Sequence, residues 1–283
     1  MQTIHDRVML SQALQAFRQA GERVALVPTM GALHDGHMAL VADARHRADR
    51  VVVSIFVNPR QFGPNEDFDA YPRRAAADSA KLVAAGVDVL WMPDLTEMYP
   101  AGFATNITVA GLPDSLCGAA RPGHFDGVAT VVAKLFNQVR PDVALFGEKD
   151  WQQLAIIRRM AADLDMGIEI IGFPTQREED GLALSSRNAY LEPAERTAAL
   201  ALPRALGQAA RALEKGADID ETLAGVAALL SQGGFAGVDY VALVDAATLA
   251  PLTTLDRPAR LLAAARMGKA RLIDNLPVNP PRS

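Results

Sequence analysis

The feature that most constrains this chain is an alternation of short β-branched runs with longer alanine-rich stretches. Residues 24–27, 51–57, 87–91, 143–146 and 168–173 are rich in valine and isoleucine and have the length of buried strands. Between them, residues 38–48, 75–85, 127–139 and 151–164 repeat apolar side chains at helical spacing. Strand, helix and strand in this rhythm predict a parallel sheet covered on both faces, because a crossover is needed to start each new parallel strand. With right-handed crossovers the expected fold class is α/β, a Rossmann-like doubly wound sheet. Near residue 176 the rhythm changes. A charged turn at 176–181 leads to helical stretches at 194–215 and 220–232, then to strand-like runs at 238–244, 260–265 and 270–273. The expected division is therefore a larger domain at 1–175 and a smaller C-terminal α+β domain at 176–283. The tail 277–283, with three prolines, is expected to fray.

Charge and composition remove several classes. The chain has 28 Lys+Arg against 33 Asp+Glu, a net charge of −5, and no basic block, so a nucleic-acid partner is not expected. Half the residues are hydrophobic and 22% are charged, which excludes wholesale disorder. Cys117 is the only cysteine, so an intrachain disulfide is impossible and a reducing, cytoplasmic setting fits. No run approaches the ~18 apolar residues that span a bilayer, and the first residues meet charge before any apolar run, so neither a membrane segment nor a targeting segment is expected.

Four stretches carry chemistry. After the first valine run comes Pro28-Thr29-Met30-Gly31-Ala32-Leu33-His34-Asp35-Gly36-His37, a strand–turn–helix junction whose glycines admit a ligand and whose helix amides favour an anion. Its two histidines stand three apart, on one helix face, and in protonated form they neutralise charge on a phosphate. Packed structural residues at a helix start are the next reading of the same pair, and a metal site, which would want further ligands, the last. At the end of a later strand, Gly147-Glu148-Lys149-Asp150-Trp151-Gln152-Gln153 places a lysine where open α/β sheets bind ligands. Asp150 and Gln153 alone read better as a helix cap. Leu184-Ser185-Ser186-Arg187-Asn188 is a phosphate clamp or a surface turn. The amide-rich loop running from Phe56 through Asn58 and Gln61 to Asn65 suits hydroxyls and a carboxylate, or is an ordinary Asn-Pro turn.

Taken together with Tyr71-Pro72-Arg73 and Arg121-Pro122-Gly123-His124-Phe125, these stretches resemble, over nearly the whole chain, the pantoate:β-alanine ligases of the HxGH-bearing nucleotidyltransferase superfamily. The resemblance implies ATP-dependent joining of pantoate and β-alanine into pantothenate, AMP and pyrophosphate, with Mg2+, through a pantoyl-adenylate and in a homodimer. It places ATP against Met30, Gly31, Ala32, Leu33, His34, Asp35, Gly36 and His37, against Gly147, Glu148, Lys149 and Asp150, and against Leu184, Ser185, Ser186 and Arg187. Gln176 stands at an adenine-side position usually held by an aliphatic residue. His37 is implied as proton donor, with His34, Lys149 and Arg187 completing the catalytic group. Gln61 and Gln153 are implied to hold pantoate, Gln61 also β-alanine. Asp78, with Ala77 where the family often has a second carboxylate, is the one side chain offered to Mg2+. The smaller domain would act as a lid. The alternative is a nucleotidyltransferase that places AMP or CMP on a phosphorylated small molecule.

Overall fold

The computed structural model describes residues 1–64 and 66–281; Asn65 and the tail residues Arg282 and Ser283 lie outside the described residues. The first part of the chain folds as β1 (Gln2–Ile4), α1 (Arg7–Gln19), β2 (Val24–Thr29), α2 (Asp35–Arg47), β3 (Arg50–Ile55), α3 (Ala75–Ala84) and β4 (Val89–Trp91). There follow α4 (Leu95–Met98), α5 (Leu116–Ala120), α6 (His124–Val139), β5 (Val143–Gly147), α7 (Trp151–Asp163) and β6 (Glu169–Phe173). All six strands form one parallel sheet in the order β1-β4-β3-β2-β5-β6. From β2 the chain winds outward through β3 and β4, then returns to lay β5 on the other flank of β2. The order reverses between β2 and β5, and a crevice opens at the carboxyl ends of strands at such a reversal.

Alternate residues of one strand face opposite layers. Leu26, Val52, Trp91 and Ala144 pack with Leu10 and Leu14 of α1, Phe136 of α6 and Ile156 of α7. Ala25, Val27, Val53 and Leu145 pack with Leu40, Val41 and Ala44 of α2 and Leu82 of α3. Both faces are dry, which is why these strands are continuous apolar runs.

Sequence reading missed β1, α1 and the short helices α4 and α5. β1 buries one side chain, Ile4, so it has no apolar run to announce it, yet it pairs along β4 at the sheet edge. α1 starts at Asp6, whose carboxylate caps the Met9 amide.

In the second part α8 (Pro193–Ala198), α9 (Ala201–Leu213) and α10 (Ile219–Gln232) precede an antiparallel sheet β7-β8-β9, formed by Gly237–Asp245, Ala259–Met267 and Ala270–Val278. Two expectations need correction. The single helix over 194–215 is two helices, because Pro203 has no N–H to give Ala199 and the helix starts anew within the turn before it. The tail is not frayed from residue 277: Pro277 pairs with Arg260 and Val278, fully buried, with Ala259. A proline is tolerated there because β9 is an edge strand. No helix among the described residues is long and apolar enough to cross a membrane.

Candidate active site

β2 ends at Thr29, and the chain turns through Gly31 (φ 84°) and Ala32 (φ 51°) before α2 begins. Two successive left-handed residues aim the amides of Ala32 and Leu33 in one direction, and a concavity of that kind binds an anion. The anion is part of the protein. Asp78 of α3, 2% exposed, accepts from both amides at 2.8 Å. Both oxygens of Asp78 face the loop backbone, and the carboxylate shapes the turn. The amides of Asp35 and Gly36 are then the ones in the first turn of α2 left without an acceptor among the described residues.

His34 and His37 stand with ring centroids 4.0 Å apart. The His34 amide donates to Nδ1 of His37 at 3.3 Å, so the neutral ring carries its proton on Nε2. Burial, with the charge of Lys149 behind it, lowers His34 to about 4. Burial, His34 and Lys149 lower His37 to about 3. Burial therefore favours the uncharged form of both rings at neutral pH in the free protein. His37 is left as an N–H donor, and Nδ1 of His34 is buried without a partner.

Positive charge enters from the other two loops. β5 ends at Gly147, and a 3-10 turn, Glu148–Asp150, carries Lys149 to the crevice. Among the described residues its ammonium has no carboxylate within ion-pair distance. A second 3-10 turn, Ser186–Tyr190, brings in Arg187, which is not free: its guanidinium grips Asp67 at 3.1 and 2.9 Å. Ser185 accepts from the Arg187 amide, and Ser186 shares a hydrogen bond with Tyr71. Asp67 and Tyr71, which sequence reading left without a role, thus fix the clamp.

Two cavities meet here. One of about 220 Å3 is lined by His34, His37, Gln61, Gly147 and Gln176. Another, of about 590 Å3, reaches toward the second sheet past Arg121, His124 and Arg271. Lys149, Asp150, Gln153, Ser185 and Arg187 line both, so the three distant loops do converge. Met30, Gly36, Leu184 and Ser186 also line the smaller cavity. Ala32, Leu33, Asp35 and Glu148 line neither, and Gly31 faces a separate hollow behind the loop. Glu148 instead pairs with Arg260. Gln176 turns its side-chain amide onto Pro174, and its carbonyl accepts from the Leu184 amide. The capping reading of Asp150 and Gln153 fails: no side-chain cap bond forms at Asp150.

Gln61 is held on every side. Asn58 donates to its side-chain oxygen at 3.1 Å and also to the Gly127 carbonyl, while Tyr99 donates to Asn58. Its own carbonyl accepts from His124 at 2.7 Å. A methyl on Gly127 would collide with the Arg60 carbonyl and stand 2.7 Å from the Gln61 nitrogen. A side chain at Gly127 would therefore push aside the backbone that holds Gln61 at the wall of the smaller cavity.

Burial and Arg121 lower His124 to about 4. Against burial, the hydrogen bond from Arg121 brings Glu66 down to about 2. These groups and the His pair make stability acid-sensitive. Below pH 6.5 the unfolded chain takes up protons on His34, His37 and His124 that the fold refuses until about pH 4, 3 and 4. Glu66 adds a loss between pH 4.5 and 2. Thermal melts should fall by at least about 5 °C between pH 7 and pH 5; a flat profile would contradict the buried, neutral histidines.

Mg2+ finds no ready cage: no three His, Cys, Asp or Glu group together among the described residues. Asp150 lines both cavities, its carboxylate makes no hydrogen bond among the described residues, and one carboxylate plus phosphate oxygens and water is how this ion is often held. A single carboxylate at the cavity wall fits an Mg2+ ion that brings further oxygen ligands with it.

A crevice at the reversal of a parallel sheet, with a glycine turn after β2, a lysine turn after β5 and a serine pair facing them, is the ligand site of a doubly wound α/β enzyme. The chain belongs to the pantoate-β-alanine ligase family, whose model matches residues 2–277. A pantothenate synthetase of Sphingopyxis alaskensis is 65% identical over 278 residues, 98% of this chain and 100% of that protein. One of Rhizorhabdus wittichii is 63% identical over 280 residues, 99% of each. The crystal structure of pantothenate synthetase from Thermus thermophilus superposes with a TM-score of 0.93 at 49% identity, covering 99% of this chain and 100% of that one. Pantoate-β-alanine ligase from Francisella tularensis, complexed with β-γ ATP and β-alanine, gives 0.79 at 32% identity over 98% and 97% of the two chains.

Proposed function

We propose that this ligase joins pantoate to β-alanine by first activating the pantoate carboxylate with ATP. The observation that carries the reading is that Lys149, Asp150, Gln153, Ser185 and Arg187 are shared by two adjoining cavities at the sheet reversal. A carboxylate does not acylate an amine at neutral pH, because its leaving group would be oxide or hydroxide. In the first step the pantoate oxygen attacks the α-phosphorus in line, pyrophosphate leaves, and a pantoyl-adenylate forms. Lys149 and the Nε2–H of His37 meet the charge that builds on phosphate oxygens, and the hydroxyls of Ser185 and Ser186 add donors. Bound Mg2+ would supply further charge neutralisation on the phosphates.

The smaller cavity suits the acid. Val128, Val131 and Leu135 supply apolar lining for its methyl groups, and Gln61 and Gln153 line the same cavity with amides that match its hydroxyls. In the second step the neutral amine of β-alanine attacks the acyl carbonyl and AMP leaves, provided water is excluded. We assign the chemistry to a unit at 1–175, with 176–283 as the lid over it, and propose a cytoplasmic homodimer.

ATP–pyrophosphate exchange tests the reading. Exchange is expected with pantoate and ATP and no β-alanine, and free AMP on adding the amine. Absence of exchange, or AMP left on a phosphorylated product, would favour the simple nucleotidyltransferase. Removing Gln153 should act on binding: Gln153→Ala is expected to raise pantoate KM by roughly 10-fold or more with a smaller change in kcat.

A further inference from the structure

We propose that Asn275, on the edge strand of the small sheet, is a positioning residue for the reaction. It fixes the turn that carries Lys149, so that the second sheet sets where that ammonium stands. The proposal rests on the part given to Lys149 in adenylate formation.

Asn275 lies in β9 opposite Leu262 and is 3% exposed. Its side-chain amide donates both protons to consecutive carbonyls of the 3-10 turn, those of Glu148 and Lys149, at 2.9 Å each. On the neighbouring strand β8, Arg260 pairs with the Glu148 carboxylate and lies 3.6 Å over the ring of Trp151. The Trp151 indole donates in turn to the Ala246 carbonyl at 3.1 Å. Residues 148, 149 and 151 are thus each gripped by the second sheet, yet none of these contacts touches the Lys149 side chain. The grip is on the backbone beneath it.

β9 is itself braced at this point. Asp274 takes two hydrogen bonds from Arg177, at 2.7 and 2.9 Å, and accepts from the Asn275 amide at 2.7 Å. Asn275 also leaves its own side-chain oxygen buried without a partner. A buried, unpaired carbonyl oxygen is a net cost, which a leucine of similar volume would avoid. What asparagine supplies and leucine does not is the pair of donors, and both go to the lysine turn. A lysine's reach is bounded by its length from Cα, so a displaced turn leaves its ammonium short or strained, and a displacement of about 1 Å in a positioned group costs up to about 10²-fold in rate.

The test is a double-mutant cycle read by ATP–pyrophosphate exchange on the full-length protein. Asn275→Ala alone is expected to slow exchange about tenfold, with pantoate KM within about twofold, since Gln61 stands off the turn and Gln153 is held within α7, beyond the two carbonyls that Asn275 grips. Asn275→Asp, which keeps the shape and presents oxygens to the two carbonyls, should lose at least as much. In a Lys149→Ala background the same Asn275→Ala change should cost less than about twofold. Should it cost the full factor there too, the inference is overturned while the role of Lys149 stands. Should Lys149→Ala itself leave exchange unchanged, the reading of the site fails and the inference falls with it. If Asn275→Ala does not fold by circular dichroism, Arg260→Lys, which removes the guanidinium hydrogen bond to Glu148 and its stacking on Trp151, carries the same cycle and is decided by the same two outcomes.

Discussion

A His37→Ala enzyme is expected to release pyrophosphate from ATP and pantoate roughly 10²–10³-fold more slowly, the usual effect of removing one preorganised donor from developing charge. The size follows from the state of the ring. Burial keeps His37 neutral, with a pKa near 3, and the His34 amide on Nδ1 commits the proton to Nε2. A neutral donor in a dry site gives little to a ground-state ligand and more as the bridging and leaving oxygens gain charge, so kcat falls and KM hardly moves. Single-turnover pyrophosphate release measures this step apart from amide formation. His37→Gln, which keeps an N–H of similar reach, is expected to recover about tenfold of the loss. A variant whose adenylation rate equals that of the parent would remove His37 from the chemistry. Bound triphosphate brings negative charge beside both rings and raises their pKa values, so the histidine resonances should titrate at higher pH with ATP than without it.

How much of this was legible beforehand depends on how far each residue's partners lie along the chain. The central strands announce themselves because both faces of the sheet are buried, so each is a continuous valine and isoleucine run. β1 does not, since a three-residue edge strand with one buried side chain carries no pattern. The three loops were found as motifs, and their convergence follows from strand ends sharing one edge of the sheet. The state of their charges was not legible. Arg187 reads as a free cation until Asp67, 120 residues away, is seen in its fork. The His pair reads as cationic until its burial is known, and burial belongs to the fold. Asp150 and Gln153 show the reverse error: the spacing of a capping box is also the spacing of two side chains facing one cavity, and only geometry separates them. Asp78 was picked out for its charge, and the charge does matter, but its target is backbone.

Removing that carboxylate should be the most damaging change to the fold of the site. An Asp78→Ala protein is expected to lose about 3 kcal/mol of stability, because two buried amides each forfeit a charge-assisted acceptor. The loop then has no reason to keep Ala32 at positive φ, a conformation that an alanine holds only when its surroundings impose it. As Gly31 and Ala32 relax, the start of α2 shifts with His34 and His37, and adenylation should slow by roughly 10²-fold. Gly31→Ala approaches the same lesion from the other side: its methyl would stand 3.2 Å from Asp78 Oδ2 and 3.1 Å from Ile55, on a backbone at φ 84°. Chemical denaturation and the Mg2+ dependence of turnover decide between a turn-shaping carboxylate and a metal ligand. The first predicts a lower midpoint with an unchanged Mg2+ half-saturation. A protein of parental stability that needs much more Mg2+ would return Asp78 to the metal, and would leave the left-handed turn without the anion that explains it.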